Sequence, residues 1–260
     1  MNTRREEPAT ERILGLDFFA GTVEQACARV ASGGLVVAPS GPGLAYDLVH
    51  VPAYRVALEA ADVVLTDSGF LVMLWRLRTG RGVRRISGLA FLRAFLASEA
   101  AKRKILWVMP SAEEMRRTIG WLRARGWATS EADCYVAPHY AGSGEIADGV
   151  LRKTIEERRP DFVVIAIGGG VQERLGAYLK RALSYRPGIF CVGAAVAFLS
   201  GGQVAIPPWV DRWRLGWLWR IGSNPRAYTP RYWRALRLGW WVMRYGRYTP
   251  KINAIVLGKA

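Results

Sequence analysis

Cysteine, histidine, long apolar runs and acidic side chains are all scarce in this chain of 260 residues. The three cysteines, Cys27, Cys134 and Cys191, lack the spacing of a metal or redox site and indicate no disulfide framework. No uninterrupted apolar stretch reaches the roughly 18 residues of a transmembrane helix. The N-terminus is charged and lacks the apolar core of a signal peptide. We therefore expect a cytoplasmic protein without a membrane-spanning segment.

The shortage of acidic residues leaves the chain strongly basic. Lysine and arginine number 37 against 21 aspartates and glutamates, which gives a net charge of +16. A charge of this size indicates an anionic partner, which can be nucleic acid, an anionic membrane surface or a phosphorylated substrate. With 51% hydrophobic residues, the chain is long enough for one large domain or for a domain with an appendage.

Short apolar runs alternate with amphipathic segments of about a dozen residues, a pattern typical of βαβ units. The clearest run is DFVVIAIGGG at residues 161–170, where a continuous apolar strand ends in three glycines and feeds a helix. Such runs are typical of strands buried on both faces. The sequence therefore predicts an α/β fold, with a mostly parallel sheet and helices on both faces. The predicted strands are residues 35–38, 62–65, 104–109, 134–137, 162–167 and 189–192.

Four of these strands end in residues that could meet a ligand, because open α/β sheets bind ligands beyond the carboxyl ends of their strands. The candidates are Ser40, Asp67, the turn at residues 168–172 and Gly193. A glycine turn before a helix presents backbone N–H groups that suit a phosphate or sugar diphosphate, although glycines can also serve only to make a tight turn. Asp67 could act as a general base or could cap the helix that begins near Phe70.

The C-terminal region differs in composition from the rest. Residues 207–250 hold seven of the eleven tryptophans, nine arginines and one acidic residue, Asp211. The tryptophans and arginines recur at helical spacing, and both residue types suit the surface of an anionic bilayer. An aromatic core helix with a solvated basic face and a nucleic-acid surface built on aromatic stacking are the alternatives. The pattern favours the membrane.

The order of motifs resembles the WecG/TagA/CpsF family of bacterial glycosyltransferases over roughly residues 21–234. LTDSG resembles the Pro-Asp-Gly segment of that family, and RRISG resembles its Arg-Val-Thr-Gly segment. The remaining matches are RRPDFVVIAIGGGVQE, CVGAAVAFLSGG and IPPWVDRWRLGWLWRIGSNPRAY. The resemblance implies a Rossmann-like catalytic domain and inverting transfer from a UDP-sugar to a polyprenyl-diphosphate-linked saccharide in cell-surface or exopolysaccharide synthesis. We expect a flexible lead-in over residues 1–12, the catalytic domain over 13–203 and a basic, tryptophan-rich helical appendage over 204–260.

The resemblance also assigns roles to single residues. It implies that Asp67 is the catalytic base, and that Arg85 stabilises the charge of the leaving group. The implied donor-binding positions also include Ser40, Gly168, Gly169 and Gln172. Three appendage arginines resemble those that meet the acceptor diphosphate: Arg220, Arg226 and Arg231. We expect no metal cofactor, because no Asp-x-Asp motif stands at a strand end. The expected partners are the donor, the lipid-linked acceptor and the inner face of the cell membrane, with a homo-oligomer left open.

The chain departs from the family pattern at several polar positions. The first strand ends in Ala38-Pro39-Ser40 rather than Thr-x-Asn, the usual Thr-Gly-x-Asp has Ala90 at its last position, and Phe-Asp-Phe has Ala197 at its centre. These changes predict a donor other than the usual N-acetylmannosamine type. A catalytically inactive membrane scaffold of the same fold and a basic nucleic-acid-binding protein are the alternative functions.

Overall fold

The computed structural model describes residues 10–202, 222 and 236–251. Its centre is an eight-stranded sheet of order β1-β2-β4-β3-β8-β7-β5-β6, in which only β1 is antiparallel to its neighbour. The predicted α/β fold with a mostly parallel sheet is confirmed. The strands are β1 Thr10–Ile13, β2 Leu16–Phe19, β3 Gly34–Val37, β4 Val63–Val64, β5 Ile105–Met109, β6 Cys134–Val136, β7 Phe162–Ile165 and β8 Gly188–Cys191.

All six predicted strands form, as β3 to β8. The residues of β3, β4, β5, β7 and β8 are buried between two layers of helices, whereas β6 lies at the edge of the sheet and is partly exposed. The hairpin of β1 and β2 was not predicted. It begins at Thr10, so the sheet starts inside the segment that we expected to be a flexible lead-in over residues 1–12. The strand pairing of residues 10–12 corrects that expectation, and residues 1–9 lie outside the described part of the chain.

Helices cover both faces of the sheet. The described α-helices are α1 Val23–Arg29, α2 Leu48–His50, α3 Pro52–Glu59, α4 Gly69–Thr79, α5 Gly88–Leu96, α6 Ala112–Arg123, α7 Gly149–Arg158, α8 Val171–Ala182, α9 Ala195–Ser200 and α10 Arg237–Tyr245. Alternate residues of each central strand point to opposite sides, so that Val37 packs beneath α3, α4, α8 and α10, whereas Val36 packs beneath α1, α5 and α9.

The described end of the predicted appendage packs against the α/β body. In α10, Leu238 and Val242 are fully buried, and Trp241 Nε1 donates to the Ala45 carbonyl at 3.1 Å. Trp240 instead faces outward, so the single Trp and Arg stripe predicted for this segment divides between two faces. The chain then meets the hairpin turn, where the Leu14 N–H donates to the Gly246 carbonyl at 2.8 Å. Among the described residues, no helix is both long enough and apolar enough to cross a bilayer.

Candidate functional site

Four neighbouring strands end together at the predicted ligand edge of the sheet. Strands β4, β3, β8 and β7 are adjacent and parallel, so their carboxyl ends point the same way. Asp67 follows β4, Ser40 follows β3, Gly193 follows β8 and the glycine turn at residues 168–170 follows β7. The structure therefore brings the predicted donor-side residues to one edge, while their roles in binding stay predictions.

Asp67 is held at the start of a helix, but not the helix that the sequence suggested. Ser68 caps α4 by accepting the Leu71 N–H at 3.2 Å, so the alternative in which Asp67 caps that helix is wrong. Asp67 Oδ1 instead accepts the Gly88 N–H at 3.0 Å, at the first residue of α5. The positive end of the α5 dipole therefore faces this carboxylate.

A glycine at position 88 permits this approach. A Cβ added to Gly88 would lie 2.9 Å from the Val192 carbonyl oxygen, which is closer than any real side chain tolerates. Only glycine therefore lets the start of α5 pass over the end of β8 and reach Asp67. Ser87, which precedes this glycine, also has a structural role, because it caps α5 by accepting the Ala90 N–H at 3.1 Å.

Arg85 is fastened to the same strand end. Its Nε donates to the backbone carbonyl of Asp67 at 3.0 Å. The fully buried Thr66 ties the flanking residues, since its hydroxyl donates to the Arg84 carbonyl at 2.5 Å and accepts the Ile86 N–H at 3.0 Å. Arg85 is thus held beside Asp67, where a cation can stabilise a leaving diphosphate. Sequence reasoning missed Thr66, although the Leu-Thr-Asp context places it one residue before Asp67.

Ser40 and the glycine turn approach each other across the site. Ser40 Oγ accepts the Gly43 N–H at 3.3 Å, and a Cβ added to Gly169 would lie 3.6 Å from the same oxygen. Gly168 and Gly170 have φ of +105° and +87°, a conformation that favours glycine. The turn therefore needs its glycines for backbone geometry, and it also lies exposed beside Ser40.

The turn leads directly into α8, and its N–H groups divide into two sets. The Gly170 N–H donates to Glu173 Oε2 at 2.7 Å, and the Gln172 N–H donates to the Gly168 carbonyl at 3.1 Å. The N–H groups of Gly169 and Val171 have no hydrogen-bond partner among the described residues. These two groups sit at the positive end of the α8 dipole, which is an arrangement that suits phosphate oxygens.

Gln172 is more buried than a surface donor-binding residue would be, at 1% exposure. Its Oε1 accepts the Gly193 N–H at 2.9 Å, and its Nε2 donates to Glu173 Oε1 at 3.3 Å. The amide therefore links the turn after β7 to the turn after β8. Its direct contact with the donor stays a prediction.

Two buried charged residues beside Gln172 were not singled out from the sequence. Glu173 is 0% exposed, and burial raises its pKa to about 7. Arg174 donates to the carbonyls of Gly170, Gly144 and Ala141 at 2.7–2.8 Å, which fastens the loop after β6 to the glycine turn. The spacing of Gly170 and Glu173, three residues apart at a helix start, was the available signal of a capping interaction.

A buried hydroxyl also points toward this edge. Tyr54 of α3 is 0% exposed, and its OH group has no partner among the described residues. Burial raises its pKa well above the ordinary value, and the negative charges of Glu173, Asp47 and Asp67 raise it further. The hydroxyl therefore stays protonated and lies near the acidic side chains of the site.

The predicted acceptor arginines, Arg220, Arg226 and Arg231, lie outside the described residues. Within residues 10–202 and 236–251, no group of three His, Cys, Asp or Glu side chains could hold a metal ion. Independence from a metal stays a prediction. A cavity of about 680 Å³ opens at the opposite end of the sheet near Ile105 and Trp127, far from the strand ends that carry Asp67 and the glycine turn.

Comparison with known proteins finds the family that the sequence motifs resemble. The family model described as "Glycosyl transferase WecG/TagA/CpsF family" matches residues 11–251. Two curated relatives carry the name N-acetylglucosaminyldiphosphoundecaprenol N-acetyl-beta-D-mannosaminyltransferase, one from Bacillus spizizenii and one from Bacillus subtilis. Each is 25% identical over 195 residues, which is 74% of this chain. The match covers 72% of the first relative and 73% of the second.

Proposed function

The chain belongs to the WecG/TagA/CpsF family of glycosyltransferases, and on this premise we propose that it transfers a hexose or N-acetylhexosamine from a UDP-sugar to a polyprenyl-diphosphate-linked saccharide, with inversion at the anomeric carbon. The relatives are named for transfer to a diphosphoundecaprenol-linked amino sugar. The main structural support is the meeting of Asp67, Arg85, Ser40 and the glycine turn at one edge of the sheet.

In the proposed mechanism, Asp67 accepts the proton of the acceptor hydroxyl while that oxygen forms a bond to the anomeric carbon of the donor. The bond from the anomeric carbon to the β-phosphate oxygen breaks, and UDP leaves with the electron pair. A carboxylate accepts through about four lone-pair positions, so the hydrogen bond from Gly88 does not exhaust its capacity. Arg85 and the start of α8 supply the positive charge that the leaving diphosphate requires.

We also propose that the donor carries a sugar other than N-acetylmannosamine. Ala38, Ser40, Ala90 and Ala197 stand where the family usually has polar side chains that are longer or better able to hydrogen-bond. A site that lacks these groups cannot form the hydrogen bonds that would favour the usual donor sugar.

A transfer assay tests the proposal directly. Full-length protein is incubated with polyprenyl-diphosphate-linked N-acetylglucosamine and a panel of UDP-sugars, and both UDP release and the anomeric configuration of the product are measured. Inverted product with one donor supports the proposal. Absence of UDP release with every donor would favour a catalytically inactive scaffold. Tight binding of oligonucleotides that weakens steeply with salt would favour a nucleic-acid-binding protein.

Gly169→Val is expected to weaken UDP binding by about tenfold or more, the scale of a lost hydrogen bond to a charged group. The added side chain has room within the protein, where Ser40 Oγ is the nearest atom at 3.6 Å, and Gly169 has an ordinary φ. The fold should therefore survive, and the side chain would crowd only a ligand at the turn. Calorimetric titration with UDP measures the effect.

Gly120→Val in α6 is the matched control, because its added side chain also meets open space. If the Gly169→Val protein binds UDP with unchanged affinity, the glycines serve only to form the turn and do not contact UDP.

We further propose that the enzyme docks on the inner face of the cell membrane through α4 and α10, which pack against each other. Several of their outward residues are apolar, with Leu77 71% exposed and Trp240 58% exposed. Exposed arginines flank them on both helices, as Arg76 and Arg237. Apolar side chains inserted between arginines that meet lipid phosphates are typical of interfacial helices.

Trp240→Ala combined with Leu77→Ala is expected to lower binding to anionic liposomes by about tenfold or more, because each large side chain contributes about 1.5–3 kcal/mol on burial. Co-sedimentation at low and high salt measures the binding. Trp121→Ala on α6 is the control, since this tryptophan lies on the other face of the sheet and stacks with Arg125. Equal sedimentation of all three proteins would contradict the docking face.

A further inference from the structure

Glu173 is a charged residue that the proposed mechanism leaves without a role. It lies in the first turn of α8 with 0% exposure, directly behind the glycine turn. Its Oε2 accepts the Gly170 N–H at 2.7 Å, and its Oε1 accepts from Gln172 Nε2 at 3.3 Å. A side chain buried this completely does not touch the donor, so any effect on the reaction must pass through the groups that it holds.

The hydrogen bonds around Glu173 form a chain in which every donated hydrogen points toward its carboxylate. The Gly193 N–H donates to Gln172 Oε1 at 2.9 Å, the Gln172 amide nitrogen donates to Glu173, and the Gly170 N–H donates to Glu173 from the other side. Only a group that accepts at both oxygens completes this chain, and among side chains at this position an ionised carboxylate does so. The carboxylate thereby sets which way the Gln172 amide faces.

We propose that Glu173 is a positioning residue for the sugar-nucleotide donor, because its ionised carboxylate locks the Gln172 amide and the turns after β7 and β8 into one arrangement. This inference rests on the proposed function. The locked turn keeps the N–H groups of Gly169 and Val171 directed outward, since the Gly170 N–H is held inward by Glu173. Loss of the carboxylate would let the Gln172 amide rotate and the turn relax, which would weaken diphosphate binding.

The surroundings make this lock sensitive to pH near neutrality. Burial and, to a smaller extent, the charge of Asp47 raise the pKa of Glu173, the hydrogen bonds from its own backbone N–H, Gln172 and Gly170 oppose the rise, and the resulting pKa is about 7. The other charged or titratable groups that face it are Tyr54, Cys191 and Arg174. The pKa values of the Tyr54 hydroxyl and the Cys191 thiol are raised well above their ordinary values, so both stay protonated.

Protonation would break the chain of hydrogen bonds. A protonated carboxyl carries an O–H donor, which opposes either the Gln172 amide or the Gly170 N–H. The locked form should therefore grow as the pH rises through about 7. Stability should change in the opposite sense. The folded-state pKa is raised above the ordinary 4.5, so the stability that this group contributes is fully present below 4.5 and is lost as the pH rises through about 7.

The experiment compares wild-type protein with Glu173→Gln by calorimetric titration with UDP at pH 6, 7 and 8. The ratio of the two affinities cancels the ionisation of UDP itself. We expect the ratio to be near one at pH 6, where Glu173 is mostly protonated, and to reach about tenfold at pH 8. A ratio that stays constant with pH, or equal affinities at pH 8, would overturn the proposal.

Glu156→Gln is the matched control, because Glu156 also accepts a backbone N–H, from Ser184 at 2.5 Å, but lies on α7 away from the ligand edge. If Glu173→Gln does not fold, Glu173→Asp serves instead. It keeps the charge but is one methylene shorter, and we expect weaker UDP binding with the pH dependence retained.

A ligand-free readout separates this inference from the proposed function. The amide resonances of Gly170 and Gly193 should titrate together with a midpoint near 7 in wild-type protein and should stop titrating in Glu173→Gln. If they do not titrate, the positioning role is overturned even where transfer is found. Titrating amides in a protein that binds no UDP at any pH would instead contradict the proposed function, and with it the donor role of the lock.

Discussion

Asp67→Asn is expected to lower sugar transfer by about 100-fold or more, the scale of lost general-base help, while the fold and UDP binding stay intact. The substituted carboxamide keeps an oxygen that can accept the Gly88 N–H, which Asp67 Oδ1 accepts at 3.0 Å. It also keeps the backbone carbonyl that holds Arg85. It cannot take a proton from the acceptor hydroxyl. The variant therefore removes the proposed base while it keeps these two contacts.

The measurements are the rate of transfer at saturating donor and acceptor, the affinity for UDP, and the melting temperature. Asp62→Asn is the control, because Asp62 precedes the same strand at its other end and accepts the Leu35 N–H at 2.7 Å. It also pairs with Lys180 and Arg186, so the control should lose some stability yet keep its rate per folded molecule. Near-normal turnover by Asp67→Asn would remove Asp67 from the mechanism.

Replacing Arg220, Arg226 and Arg231 together with alanine is expected to abolish measurable transfer to a lipid-linked acceptor while UDP binding remains. The family resemblance assigns these arginines to the acceptor diphosphate. Each hydrogen bond to a charged group is worth about 1.5–3 kcal/mol, so loss of even one such contact corresponds to about 10- to 100-fold in acceptor use. Transfer is measured with the polyprenyl-diphosphate-linked acceptor over a range of concentrations.

The control must remove the same charge elsewhere, because the chain carries +16 and any lost arginine weakens attraction to anionic lipid. Arg93, Arg116 and Arg152 are exposed on other helices, and their combined replacement with alanine serves that purpose. Equal loss in both triple variants would assign the effect to net charge rather than to a diphosphate site.

These point substitutions test the appendage more directly than removing it would, because a chain that ended at Gln203 would also lack α10. That helix buries Leu238 and Val242, and the segment after it bonds to the turn between β1 and β2. A truncated protein would lose core packing, so its poor transfer would have two explanations.

The amino-acid sequence by itself determined the six parallel strands β3 to β8 and most of the helices around them. Strands buried on both faces are continuous apolar runs, and such runs are visible without any tertiary information. Ser111 with the acidic residues Glu113 and Glu114 after it is a recognisable helix start, and in the structure the Glu114 N–H donates to Ser111 Oγ at 3.2 Å. The strand ends were then predictable as the ligand edge.

The hairpin of β1 and β2 was missed because its turn carries no recognisable signal. Leu14 and Gly15 both have positive φ, at 53° and 83°, where a two-residue turn usually has Asn or Asp before Gly. Tertiary packing holds leucine in this conformation, since the Leu14 N–H donates to the Gly246 carbonyl and Leu14 itself is buried. No local pattern could reveal a contact between the two ends of the chain.

For the candidate site, too, the sequence predicted one part and the tertiary structure decided the other. Position at a strand end marked Asp67, Ser40 and the glycines, and the family resemblance marked Arg85, because these are properties of the linear chain. The partners of these residues depended on which strands became neighbours. Asp67 meets the start of α5 rather than that of α4, and Gln172 faces inward to Gly193. Strand order alone decides such pairings, since it brings together turns that lie twenty or more residues apart in sequence.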